Sequence, residues 1–312
     1  MTPAPTPAVG LRPVDQQAFA PQPAGQQVFD DLAGSTGYGR GPAPSRATGP
    51  DGDWSGLHRA LAAGGYALVW GLLADWEPVD PGRPELVGLL GREAERYRHI
   101  GSPELRRRFA ASRILLKHAA AAALGAAPDE LDLARRPSGR PYVRGCGQLE
   151  VSLSHTGELI VVGVSHLGLI GVDVEADERR IVGSGLESDA CTERERRAVA
   201  ELPEPDRNPA MVRLWTLKEA YGKALGFGMR LPFSAFGFEP VAGAGPARLL
   251  RADGVPAEPG EWWFESHPVG TGYTMSAAVC RGQLGDTRDT LAATMLDGDL
   301  TATVLAAAGR PH

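Results

Sequence analysis

Three apolar, β-branched runs crowd into residues 149–175: Leu149-Glu150-Val151-Ser152-Leu153-Ser154, Leu159-Ile160-Val161-Val162-Gly163-Val164 and Leu169-Ile170-Gly171-Val172-Asp173-Val174-Glu175. Thr156-Gly157 separates the first two and Leu167-Gly168 the last two, so the spacing predicts an antiparallel meander. Side chains alternate across a strand. Asp173 and Glu175 therefore share one face, while Val172 and Val174 enter a core on the other. Two carboxylates on one face repel unless a solvated surface or a cation relieves them. Such oxygens suit magnesium, which keeps waters and shares its sphere with substrate phosphates.

The rest of the pattern is mixed. Tyr66-Ala67-Leu68-Val69-Trp70 reads as a strand, and residues 84–97 as a helix. Ser102-Pro103-Glu104 starts a helix running to about Leu124, with Phe109, Leu115 and Leu116 inside and Arg106, Arg107, Arg108 and Arg113 available to solvent or a ligand. Thr192-Glu193-Arg194-Glu195 is a capping box. A further helix spans about Met211 to Leu225 and ends at Gly226, and two strands follow near 261–267 and 273–279. The order from Gly65 is strand, helices, strands, repeated once. The expected fold class is α+β, in two halves over residues 63–168 and 169–285.

Residues 1–62 are rich in Pro, Gly and Ala, with too few apolar side chains to offset ordering entropy, and are expected to form a disordered extension. Residues 286–312 are expected to be a loose tail. The net charge of −6 argues against bulk attraction to nucleic acid or an anionic membrane, so an anionic ligand needs a local basic cluster. Three dispersed cysteines suggest neither a disulfide framework nor a zinc site. No apolar run approaches the ~20 residues that span a bilayer, and the N-terminus lacks a secretory pattern. A cytoplasmic monomer is expected.

Three further segments carry chemistry. In Trp215-Thr216-Leu217-Lys218-Glu219-Ala220-Tyr221-Gly222-Lys223, the residues Trp215, Glu219 and Lys223 lie on one side of a helix, and Leu214, Leu217, Tyr221 and Leu225 form a packing stripe. Gly222 costs ~1 kcal/mol in mid-helix, a cost that close approach of a ligand or another backbone would justify. Ser152-Leu153-Ser154-His155-Thr156 places an imidazole between hydroxyls at a strand tip, and Gly139-Arg140-Pro141 is a turn presenting a cation.

Together these motifs resemble the surfactin-type superfamily of 4′-phosphopantetheinyl transferases. That family shows G-(K/R)-P, (I/L)-S-H, G-(I/V)-D-(I/V)-E and W-(x)2-K-E-(x)3-K in this order. Here they are Gly139-Arg140-Pro141, Leu153-Ser154-His155, Gly171 to Glu175 and Trp215 to Lys223. The resemblance covers roughly residues 66–279 and implies a pseudo-dimer of two similar halves with a ligand cleft between them. It implies transfer of 4′-phosphopantetheine from coenzyme A to a serine of an acyl or peptidyl carrier protein, with Mg2+ as cofactor.

By the same resemblance, Asp173, Glu175 and Glu219 match the magnesium-binding acids. Lys223 matches a lysine at the coenzyme A diphosphate, and Lys218 one that reaches a phosphate. Ser154 and His155 match contacts to the adenosine 3′-phosphate region, Arg140 a cation near the adenine, and Arg113 an arginine holding the nucleotide. Glu219 is the expected base and Lys223 the group stabilising the departing phosphate. An apolar surface rimmed by Arg194, Arg196, Arg197 and Arg213 is a candidate carrier contact. The rival readings are another magnesium phosphotransferase or hydrolase, against which no G-x-x-x-x-G-K-[ST] loop exists, and a non-catalytic binding module.

Overall fold

The computed structural model describes residues 41–78, 84–257 and 262–282. In the first half these form β1 (Ser45–Arg46), α1 (Ser55–Gly64), β2 (Tyr66–Leu72), α2 (Pro84–Leu90), α3 (Glu93–His99), α4 (Pro103–Leu124), β3 (Leu133–Arg135), β4 (Pro141–Val143), β5 (Glu150–Thr156) and β6 (Leu159–Ser165). The second half contributes β7 (Ile170–Ala176), α5 (Glu193–Glu201), α6 (Glu204–Leu225), β8 (Phe236–Glu239), β9 (Gly245–Arg251), β10 (Trp262–Val269) and β11 (Tyr273–Cys280). One sheet has the order β1-β2-β6-β5-β4-β3, the other β7-β11-β10-β9-β8.

The halves echo each other closely in their long helices. Both α4 and α6 are 22 residues long, and each ends at a left-handed glycine, Gly125 or Gly226. Such a residue caps the last carbonyls without a Cβ penalty. Helix α4 packs on β5 and β6, and α6 on β7 and β11. The α+β pseudo-dimer is therefore the architecture of the chain.

The expected meander breaks after its second strand. β5 and β6 pair antiparallel, with Ser154 opposite Val161. β7 instead pairs with β11, Asp173 facing Ser276, and becomes an edge of the second sheet. Its outer valines meet the first sheet face to face. A Cβ on Gly163 would stand 2.7 Å from Ile170 and Val172 side-chain atoms, so the bare backbone there admits β7. Leu68, Leu159, Val161, Ile170, Val172, Val174 and Met275 make a common core at this seam. The Tyr66 hydroxyl donates across it to Glu265 Oε1 at 2.9 Å.

Two other expectations change. The helix over 84–97 is two helices, because Gly91 adopts φ 55° between them. Of the extension expected over 1–62, residues 1–40 lie outside the described residues, but 41–62 are built into the fold. β1 lies parallel to β2, and α1 buries Leu57 and Ala60. Few apolar side chains suffice there because they cover an existing core. The tail expected over 286–312 also lies outside the described residues.

Candidate active site

The site lies where β5, β7 and α6 meet. Alternation turns Ser152, Ser154 and Thr156 of β5 toward β7. Ser152 Oγ accepts the Val172 backbone N–H at 3.0 Å, Ser154 Oγ donates to Asp173 Oδ1 at 2.7 Å, and Thr156 Oγ1 donates to Glu175 Oε1 at 2.8 Å. One half thus holds the acids of the other in place.

Two glycines bring the helix down onto these acids. A Cβ on Gly171 would stand 1.9 Å from the Ala220 carbonyl oxygen, so α6 lies directly on the β7 backbone. Gly222 faces the Gly228 backbone, where a Cβ would stand 3.0 Å from the carbonyl oxygen. The glycine expected to mark a close approach meets backbone.

The helix then delivers Lys223 and Glu219. Lys223 Nζ lies 2.6 Å from Asp173 Oδ1 and 2.8 Å from Ser154 Oγ. Glu219 is buried, and its carboxylate has no hydrogen-bond partner among the described residues. Burial, with the neighbouring Asp173 charge, pushes its pKa up to about 7, against the opposing pull of Lys223 and Arg179. With Lys223 paired to Asp173, the two carboxylates still carry one more negative charge than that lysine neutralises. That excess of negative charge, on oxygen donors, fits a divalent ion at Asp173 and Glu219.

Glu175 is placed differently. Its Oε2 is ion-paired with Arg179, whose guanidinium lies 4.7 Å from the Trp215 ring centre. Among the described residues no three His, Cys, Asp or Glu side chains form a ready-made metal cluster. The three-acid set expected from sequence is therefore not assembled.

His155 points to the other face of β5, with its ring open to solvent at the strand tip. Desolvation by the surrounding protein, then the charges of Arg108 and Lys223, hold its pKa below the usual imidazole value. Arg108 of α4 thus acts on His155 together with Lys223. Its sequence position gave no reason to prefer it to its arginine neighbours.

Three expected ligand contacts are spent on structure. Arg113 is buried and pairs with Glu93 Oε2 at 2.5 Å, beneath the Phe109 ring. Arg140 pairs with Glu150 at 2.8 Å and donates to the Ala224 and Ile170 carbonyls, tying the halves together. Lys218 is wholly buried. It donates to Glu195 at 2.6 Å and to the Phe233 and Phe236 carbonyls. Glu195 is the acid of the Thr192 capping box, so Lys218 fastens α5 to α6. Nor is Arg213 on a docking surface: it is buried and donates to the Pro240, Gly245 and Pro246 carbonyls. Arg194, Arg196 and Arg197 remain at the surface, paired with Glu239 and Glu193.

Comparison with known proteins shows the family. Residues 169–278, which carry Asp173, Glu175, Glu219 and Lys223, match the family model of the 4′-phosphopantetheinyl transferase superfamily. The chain is 30% identical over 226 residues to a phosphopantetheinyl transferase of Thraustochytrium sp., covering 68% of this chain and 77% of that one. It is 25% identical over 171 residues to a 4′-phosphopantetheinyl transferase of Bacillus subtilis, covering 54% and 74%. A 4′-phosphopantetheinyl transferase of Nostoc sp., HetI, is 30% identical over 140 residues, covering 44% and 59%.

Proposed function

This chain belongs to the 4′-phosphopantetheinyl transferase superfamily, a family of transferases, and we propose that its seam site moves the phosphopantetheine arm of coenzyme A onto a serine of an acyl or peptidyl carrier protein. One observation carries the reading. The β7 acid Asp173 and the α6 lysine Lys223 meet at 2.6 Å, with the buried Glu219 one turn before Lys223 and electrostatically coupled to both. Acid, base and cation converge at the seam between the two halves.

Lys223 and Arg108 supply the positive field for a substrate whose charge lies in phosphates, and His155, which they keep from protonating, offers a neutral hydrogen-bond donor. Lys223 already donates to Ser154 and Asp173, so its ammonium is pre-aimed. A serine hydroxyl is a weak nucleophile at its own pKa. Glu219, one turn before Lys223 on α6, is the carboxylate placed to accept its proton, directly or through water. The serine oxygen attacks the phosphorus that bears the pantetheine arm. The bond from that phosphorus to the bridging oxygen breaks, and 3′,5′-ADP leaves with its new charge facing Lys223.

Asp173 and Glu219 are the acids that would hold Mg2+, which when bound neutralises the diphosphate and the charge that develops during transfer. The reaction fits a cytoplasmic enzyme serving fatty-acid, polyketide or nonribosomal peptide carriers. Among the described residues no helix is long and apolar enough to cross a membrane.

The test is to incubate the protein with coenzyme A, Mg2+ and an apo carrier domain, and weigh the carrier. A gain of one phosphopantetheine, lost with EDTA and in Glu219→Gln, is the expected result. Phosphate release with an unmodified carrier would instead indicate a hydrolase, and binding without turnover a non-catalytic module.

A further inference from the structure

We propose that Asn208 is a positioning residue of the transfer reaction: it locks the 177–182 segment along α6 and so sets the wall that the carrier protein meets, an inference that rests on the reading of the seam site given above. The observation is one fully used carboxamide. Asn208 Oδ1 accepts the N–H groups of Ile181 at 2.9 Å and Val182 at 3.3 Å, and Nδ2 donates to the carbonyls of Asp177 at 3.2 Å and Arg179 at 3.0 Å. A side-chain amide has two N–H donors and one oxygen with two lone pairs, and all four are spent on this segment. The helix itself gives no reason for the residue. Asn is a poor helix former, and Pro209 behind it removes a helical donor.

The segment follows directly on the acid strand β7. Its inner side is fixed: Ile181 is wholly buried, the Asp177 N–H donates to the Gly272 carbonyl at 2.9 Å, and Thr274 Oγ1 donates to Asp177 Oδ1 at 2.6 Å. The Arg179 guanidinium lies 4.7 Å from the Trp215 ring centre. Asn208, Trp215 and Glu219 follow at intervals of seven and four residues, so they share one side of α6. The helix therefore grips the segment twice, by its backbone at Asn208 and by a side chain at Trp215. The second grip is one turn before the carboxylate assigned to take the serine proton. Lys223, read as facing the coenzyme A phosphates, stands ~22 Å along the helix from Asn208. A displaced segment is thus felt on the side left open to the serine, and not at the phosphates.

The experiment uses the full chain with Mg2+, coenzyme A and an apo carrier domain, for the native protein, Asn208→Ala and Asn208→Asp. Alanine favours the helix and removes all four bonds, whereas aspartate removes only the two donated ones. In both variants the KM for the carrier should rise by about tenfold or more, while the KM for coenzyme A stays within about twofold. Hydrogen exchange at the Ile181 and Val182 amides should quicken by about tenfold or more in Asn208→Ala. Circular dichroism melts establish that each variant is folded. A lower melting temperature with both KM values unchanged, or equal rises in the two, makes Asn208 merely structural and overturns the proposal. Unchanged exchange at those two amides overturns the grip. A native chain that modifies no carrier overturns the reading of the seam site itself, an outcome that the exchange measurement keeps distinct.

Discussion

Lys223 Nζ sits 2.6 Å from Asp173 Oδ1, and this ion pair joins the last turns of α6 to the edge strand of the second sheet. Both residues also contact Ser154 Oγ of the first half, so three elements meet through three atoms. The pair is partly exposed on the lysine side, which leaves the ammonium able to face a ligand.

Lys223→Met removes that cation without shortening the side chain. It should lower kcat/KM for coenzyme A by about 10²-fold, the scale of losing one pre-aimed charge at a reacting phosphate. Steady-state kinetics at saturating carrier protein measures this.

Glu219 links the site to pH. Its folded pKa is raised from 4.5 to about 7, so between those values the folded state binds more protons than the unfolded. Stability is then fully present below pH 4.5 and falls as pH rises through 7. In EDTA, Glu219→Gln should match the native protein near the lower end and exceed it at pH 8, by on the order of 3 kcal/mol. Urea unfolding across that range checks the sign.

Lys218→Met separates structure from chemistry one residue away. Glu195 would be left buried without its cation, a loss of about 3–5 kcal/mol for a broken buried pair. The KM for coenzyme A should stay within about twofold for the folded fraction, because Lys218 does not reach the cleft.

Arg108→Ala and Arg113→Ala should part in the same way. Arg108 acts on His155, so its loss should raise the KM for coenzyme A by about tenfold and raise the pKa of His155. Arg113 neutralises buried Glu93, so its loss should appear in the melting temperature. NMR titration of His155 and calorimetry distinguish the two.

Much of this was legible in the chain itself. Alternation alone put Asp173 and Glu175 on one strand face, the W-x-x-K-E-x-x-x-K spacing put Glu219 and Lys223 on one helix face, and Ser102, Thr192 and Gly226 marked helix ends. What escaped was long-range. Nothing local says that β7 pairs with β11, more than 90 residues on, and not with β6, since both partners offer an apolar antiparallel edge. Nor does composition tell a buried cation from a free one. Arg113, Arg140 and Lys218 read as ligand contacts because their acids, Glu93, Glu150 and Glu195, lie 10 to 23 residues away in sequence. Arg179 escaped because it sits beyond the strand end, where neither strand nor helix spacing relates it to Glu175.

The most direct measurement is the anomalous scattering of Mn2+ in crystals grown with coenzyme A. A single peak touching both Asp173 and Glu219 and bordering the diphosphate is the predicted result. A diphosphate bound away from Lys223, or a metal that touches neither Asp173 nor Glu219, would contradict the account.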